Sequence, residues 1–276
     1  DVYKRQDLES FGGFGFGLGI AGAAIATVIS QVVVFIVFIF MLFFKNHSYI
    51  SFNLSDFTFS TDIIWDIIKV GLPASLSMIV MAVGQGVFNK ILVHISVNTV
   101  AAYQVAGRLD MLVFLPIFSI AASLTTLVGM FYGAKEYRAL RYIIKYGIFS
   151  ALLITIISST IVYTFAGHVV RFFTDDASIV IIAVNFLQIF AFAYPFISVG
   201  ITTGRVLQGL GKGLPVLIIT IVRVLGVSAP LALFFVFIMD KTVEWVWYSM
   251  MLSTIVAFGI GLTWLISTLK TLPASR

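Results

Sequence analysis

Residues 71–135 read GLPASLSMIVMAVGQGVFNKILVHISVNTVAAYQVAGRLDMLVFLPIFSIAASLTTLVGMFYGAK. A Gly71-Leu72-Pro73 break opens an apolar passage to Ile95, Ser96-Val97-Asn98 turns it, and a second apolar passage ends at Gly133-Ala134-Lys135. Crossing a hydrocarbon core of about 30 Å takes roughly 20 helical residues, and each arm is long enough. The stretch is therefore a transmembrane helical hairpin. Unlike a bare anchor, it carries Gln85, Asn89, Lys90, Tyr103, Gln104, Arg108 and Asp110 within its arms, at depths where ionisable groups are costly unless they face partners or water. Any function written in this chain starts there.

The rest of the composition agrees. A mean hydropathy of +1.09, with 60% hydrophobic and only 11% charged residues, places the whole chain in the membrane class, since soluble domains carry about 25% charge. With no cysteine there is no disulfide framework and no thiolate site. His47, His94 and His168 are too scattered for a metal cage, so neither a metal nor an organic cofactor is expected. The formal charge of +5 comes from basic residues in short loops between apolar runs, which is a topology signal rather than a nucleic-acid surface. The polar opening, 1–6, is unlike the apolar sequence beyond it, and we expect it to belong to a truncated remnant.

Taken in order, residues 10–44 carry no charge, and a Gly-rich loop ending near residue 17 leads into a first span over 18–44. Gly17-Leu18-Gly19-Ile20-Ala21-Gly22 matches a dinucleotide fingerprint in letters only, lacking the strand before it and the acid after it; close helix packing explains it better. Residues 45–70 read as a linker. Within it, Asp62-Ile63-Ile64-Trp65-Asp66-Ile67-Ile68-Lys69 has the pattern of an interfacial amphipathic helix, which Pro73 would separate from the hairpin. The patterns Asn46-His47-Ser48 and Asn53-Leu54-Ser55 fall on the predicted inner side and are not expected to be glycosylated.

Beyond a charged turn from Lys135 to Lys145, further spans run over 146–170, 179–204, 216–239 and 245–269. A kink or unwinding is expected near Tyr194, before Pro195, and a break at Pro230. The total is about seven transmembrane helices, with a short tail at 271–276.

Basic residues orient the chain. With the segment before residue 18 outside, the inner loops hold Lys45, Lys69, Lys135, Arg138, Arg141, Lys145, Arg205, Lys212, Lys270 and Arg276, whereas the outer loops hold Lys4, Arg5, Arg171 and Lys241. The C-terminus is then cytoplasmic, in a multi-pass protein of the inner (plasma) membrane. A faint repeat pairs Gly22–Gln31 with Val246–Ile255, an offset of 246 minus 22, or 224 residues. It suggests a parallel repeat of six-helix lobes, residues 71–270 being one lobe and the first span the last helix of another.

Several residues are candidates for an ion or substrate pathway. If the hairpin turns near Val97, Asp110 lies at the depth of Gly84 and Gln85, so a polar cluster forms there. Asp110 is either a proton or cation acceptor or, the reading favoured by cost alone, a structural partner of Arg108, Lys90 or Arg223. Arg108 and Asp110 are two residues apart and face different ways. Gln85 with Asn89, and Gln104 with Arg108, share faces at a spacing of four; they line a cavity or tie helices together. Lys90 and Arg205, near span ends, are expected to snorkel. Arg223 is too deep for that and needs a carboxylate or carbonyls freed at Pro195 and Pro230. Phe88 and Phe114 are candidates for apolar cavity walls.

Several stretches in series resemble the multidrug and toxic compound extrusion (MATE) family of secondary transporters. They are Gly19 to Gln31 (GIAGAAIATVISQ), Gly71-Leu72-Pro73, Ala101-Ala102-Tyr103, Thr126 to Lys135 (TLVGMFYGAK), Leu207 to Pro215 (LQGLGKGLP), and Arg223 with Pro230-Leu231-Ala232. Their order and spacing look like the family's sixth to twelfth helices. The resemblance implies an all-α polytopic fold, one six-helix lobe plus one preceding helix, facing a missing N-terminal lobe across a cavity. It further implies lipid-bilayer residence and export of amphipathic or cationic small molecules by alternating access, driven by Na+ or H+.

Two departures stand out. Some members hold their cation with acids on the seventh and tenth helices, whereas residues 71–95 and 179–209 here carry no carboxylate, and Met130 replaces a family glutamine. That comparison puts the coupling acid on the missing lobe, and alternating access by rocking of two lobes implies that this lobe alone does not transport. The alternative within the superfamily is a lipid-linked oligosaccharide flippase, which calls for more cationic residues in its cavity. An enzyme is not expected: the one adjacent acid pair, Asp175-Asp176, has only Arg171 near it and reads as a solvated turn.

Overall fold

The computed structural model describes residues 19–44 and 59–273, and every regular element among them is helical. The chain divides into two compact units, Asp1–Phe59 and Ser60–Arg276. Helix α1, Gly19–Phe44, belongs to the first. The second contains α2 (Thr61–Ile95), α3 (Val97–Gly133), α4 (Tyr137–Arg171) and α5 (Ala177–Gly209). These are followed by α6 (Leu214–Ile221), a π-helical stretch π1 (Val222–Ser228), α7 (Ala229–Leu233), a second π-helical stretch π2 (Phe234–Ile238) and α8 (Val243–Lys270). Segments α6 to π2 run on as one span, Leu214–Ile238, so seven segments are long and apolar enough to cross a membrane. The protein is an all-α polytopic membrane protein. The two sequon patterns and most of the expected linker fall outside the described residues.

The hairpin turns at a single residue. Ser96 ends α2, with its N–H donating to Leu92 O (3.1 Å), and begins α3, with its Oγ accepting from Thr99 N–H (3.1 Å). A serine in extended backbone caps a helix well because its oxygen replaces a missing carbonyl. At the far end of α3, Lys135 takes φ +60°, letting the N–H groups of residues 134, 135 and 136 return to Met130, Tyr132 and Phe131 carbonyls. The charged turn is thus only residues 134–136. Arg138, Arg141 and Lys145 lie on α4, where Arg141 Nη2 donates to the carbonyls of Leu269, Leu272 and Pro273 and so caps α8.

Three expectations about proline are corrected. No separate interfacial helix ends before Pro73: α2 continues through it from Thr61 to Ile95. Losing one N–H costs a helix little where the freed carbonyl is covered, and Gly213 lies against that region so closely that an added Cβ would stand 2.7 Å from Val70 O and 3.1 Å from Lys69 O. At Pro195, of the kink or unwinding expected, the unwinding is absent: α5 is continuous through Tyr194. The carbonyl that Pro195 frees, at Ala191, accepts a hydrogen bond from Ser159 Oγ on α4. Nor does Pro230 break its span; the wide turns of π1 and π2 absorb it on either side.

Helix α5 is the hub, packed on α3, α4 and α8. Small residues set the closest approaches: a Cβ on Gly209 of α5 would meet Thr125 O at 2.7 Å, and one on Gly84 of α2 would meet Val224 Cγ1 at 2.3 Å. Two apolar clusters fill the lobe. The one at the Ser96 end is built on Trp247, Phe186, Tyr194 and Leu187; the other, at the Lys135 end, on Leu140, Val128, Val206 and Leu207. Helices α1 and α8 begin 243 minus 19, or 224, residues apart, the same offset as the sequence repeat.

Candidate functional site

Between the hairpin and the helices behind it lies a cavity of about 150 Å3. Helix α2 contributes Met81, Gly84, Gln85 and Phe88; α3 contributes Tyr103 and Asp110; α5 contributes Phe186, Phe190 and Ile197. The remaining wall comes from Arg223, Val224 and Ser228 of π1 and from Met250, Ser253 and Thr254 of α8. Most of this wall is apolar because it is also lobe core. Gly84 matters here: with Val224 pressed against it, any larger residue would push π1 and its Arg223 outward.

Asp110 is held by one side chain, the hydroxyl of Tyr194, which donates to its Oδ1. Tyr194 is itself fully buried, with Phe114 edge-on to its ring at 5.3 Å. Among the described residues the one ion pair is Lys69–Asp66 at 3.2 Å, on the exposed start of α2. Asp110 therefore pairs with none of Arg108, Lys90 and Arg223, and the expectation of such a structural ion pair is corrected. Arg108 is exposed and lies outside the cavity, as its two-residue offset from Asp110 requires.

Arg223 does line the cavity, but its neighbour is a thioether: Nη2 donates to Met81 Sδ at 2.8 Å. The carbonyls expected to serve it do not. Ser159 takes the one freed at Pro195, and the π turns keep the span continuous around Pro230.

Tyr103 completes the wall, stacked on Trp247 with centroids 5.8 Å apart and edge-on to Phe186 at 5.6 Å. Gln104 Nε2 donates to Asn89 Oδ1 at 3.4 Å across the hairpin, so these two residues join α3 to α2 rather than line the space. Of the two phenylalanines singled out, Phe88 lines the cavity and Phe114 packs behind Tyr194.

Gln85, Tyr103, Asp110 and Arg223 are thus brought together, and Asn89, Gln104 and Arg108 are not. The residues that sequence reasoning missed are Tyr194, Ser228, Ser253 and Thr254. Tyr194 had one signal, its place beside Pro195 in an otherwise apolar span. The hydroxyl residues had none, because a serine or threonine in a membrane helix ordinarily bonds its own preceding turn. Ser253 and Thr254 do so here, both donating to Met250 O, which leaves their oxygen lone pairs for a ligand.

A family model described as MatE matches residues 73–234. Over 223 residues the chain is 28% identical to a protein of Thermotoga maritima named "Probable multidrug resistance protein NorM", covering 80% of this chain and 48% of that one. Over 200 residues it is 30% identical to the "Multidrug export protein MepA" of Staphylococcus aureus, covering 72% and 44%. The chain spans about half the length of these curated relatives. A crystal structure of MATE in complex with MaL6 superposes with a TM-score of 0.87 at 31% identity, covering 93% of this chain and 58% of that one. A transporter of the MOP superfamily from Pyrococcus furiosus, described as having a binding pocket of reverse polarity, superposes with a TM-score of 0.84 at 31% identity, covering 93% and 58%. The matched stretch, more than half of the chain, and the superposed fold show that this chain belongs to the MatE family.

Proposed function

We propose that the whole protein is a secondary transporter that exports amphipathic or cationic compounds by alternating access, in exchange for Na+ or H+, and that Asp110 is the coupling acid of this lobe. One observation carries the assignment: a carboxylate at membrane depth, open to a cavity, with a tyrosine hydroxyl as its holder and no ion pair to a cation among the described residues. A structural acid at that depth pairs with a cation, whereas an acid that must gain and lose an ion keeps a face free. Gln85 and the lone pairs of Ser253 and Thr254 are hard oxygen groups in the same wall, suited to Na+. The names of the Thermotoga and Staphylococcus relatives support multidrug export. The N-terminal lobe that family architecture calls for is the partner that closes the substrate path, and the basic loops support a cytoplasmic C-terminus.

A second reading, a lipid-linked oligosaccharide flippase, draws on Arg223 in the cavity wall and on the likeness to the Pyrococcus protein with reversed pocket polarity. Ethidium efflux separates the two. In cells stripped of their own exporters, the full-length protein is expected to extrude ethidium in a pH- or Na+-dependent way, and Asp110→Asn to abolish extrusion at normal expression. Unchanged efflux in Asp110→Asn moves coupling to the other lobe. No efflux by wild type favours the flippase.

A further inference from the structure

Arg223 poses a problem that ion coupling at Asp110 does not solve. It stands 223 minus 214, or 9, residues into its span, about 14 Å along the helix at 1.5 Å per residue, beyond easy reach of the headgroups. A guanidinium in a protein stays charged and carries five N–H donors. The acceptor it meets is a thioether, Met81 Sδ, one of the weakest acceptors a protein has. Asp110 lines the same cavity but makes no ion pair with it. The side chain of Tyr103 shares the wall with both charges and directs its ring onto Trp247 and Phe186. The lobe thus holds a cation facing an open cavity of about 150 Å3, with no anion among the described residues paired against it.

We infer that Arg223 forms an anion subsite in this cavity, which takes a small monoanion, either a free halide or the carboxylate group of a small ligand, beside Met81 and Ser228. The fork of the guanidinium suits a two-oxygen carboxylate, and Ser228, at the end of the same π-helical stretch, puts a hydroxyl in the same cavity wall. The π geometry itself contributes: π1 is pressed against Gly84, where no Cβ intervenes, and this turns Arg223 toward α2 and the cavity instead of along the span. A ligand anion here offsets the buried charge that the fold leaves unbalanced. Asp110 lies in the same wall, so a ligand with both an anionic and a cationic end spans the two sites.

The subsite is tested on the purified full-length protein in nanodiscs of phosphatidylcholine, which carry no net-anionic headgroup. Sodium bromide and sodium acetate are each titrated against sodium methanesulfonate, which is neither a halide nor a carboxylate, and followed by calorimetry and by intrinsic tryptophan fluorescence. Wild type is expected to bind at least one of the two saturably, and Arg223→Gln to bind it about tenfold more weakly or not at all, the loss of roughly one charge-assisted hydrogen bond. Arg223→Lys distinguishes the sources. Retained bromide binding with weakened acetate binding identifies a carboxylate site, and equal modest weakening of both identifies a halide site.

No saturable binding by wild type, or equal binding by wild type and Arg223→Gln, overturns the inference. If Arg223→Gln does not fold, Arg223→Met, which removes the charge and keeps an apolar stem, decides: anion binding indistinguishable from wild type for both probes overturns it. Asp110→Asn removes coupling under the transport reading but leaves or strengthens anion binding, so the two proposals stand or fall separately.

Discussion

Asp176 shows how much of a residue's role rests on its immediate neighbours. Its Oδ1 accepts from Ser178 Oγ (2.6 Å), Ser178 N–H (2.8 Å) and Ile179 N–H (3.4 Å), capping α5, and these bonds hold its carboxyl below the ordinary value of 3.8. A carboxyl whose folded value is lowered adds stability at pH above 3.8, and that stability is lost as pH falls through the lower folded value. Thermal melts of Asp176→Ala are therefore expected to lie below wild type at neutral pH and to converge with it as the sample is acidified below 3.8; a gap that does not change with pH defeats the assignment. Residue spacing alone shows only a solvated turn at this place. At Asp110 it reaches further: counting residues back from the turn puts it level with Gly84 and Gln85, and all three line one cavity. The counting gives no partner, since Tyr194 is 84 residues away in sequence.

At the scale of helices, proline marks the limit of sequence reading. Each of Pro73, Pro195 and Pro230 is legible as a lost hydrogen bond, but the response depends on what the next helix offers. Ser159 is the clearest case, because its hydroxyl reaches the Ala191 carbonyl that Pro195 sets free. Leaving a buried acceptor unpaired costs about 1–3 kcal/mol, so Ser159→Ala should destabilise the lobe by about that much. In a Pro195→Ala background the residue at 195 regains its N–H and can serve Ala191 itself. The cost of Ser159→Ala is then expected to fall to about a few tenths of a kcal/mol, which makes the coupling larger than the roughly 0.3–0.5 kcal/mol within which independent sites add. A double-mutant cycle of thermal stabilities checks this, and equal costs in the two backgrounds would show that the serine does not substitute for the missing bond.

For the molecule as a whole, orientation is the property most open to a direct check. These 276 residues contain no cysteine, so in a protein cleared of any cysteine elsewhere, a single one introduced at Glu136, in the turn between α3 and α4, or at Asp175, before α5, reports its side. Membrane-impermeant maleimide applied to intact cells is expected to label Asp175→Cys and to label Glu136→Cys only after lysis; the reverse pattern would turn the topology over.

Seven apolar runs, their turns and the charge asymmetry of their loops are properties of consecutive residues, so the number of spans and the membrane class followed from composition and length alone. Which polar groups meet was decided elsewhere. Asp110 with Tyr194, Arg223 with Met81, Asn89 with Gln104 and Ser159 with Ala191 O are each contacts between different helices. In lipid every helix satisfies its own backbone, so the sequence of a span says little about its rotation. That rotation is set by which small residues let neighbouring helices close, at Gly84 on Val224 and at Gly209 on Thr125, and only the packed lobe brings those surfaces together.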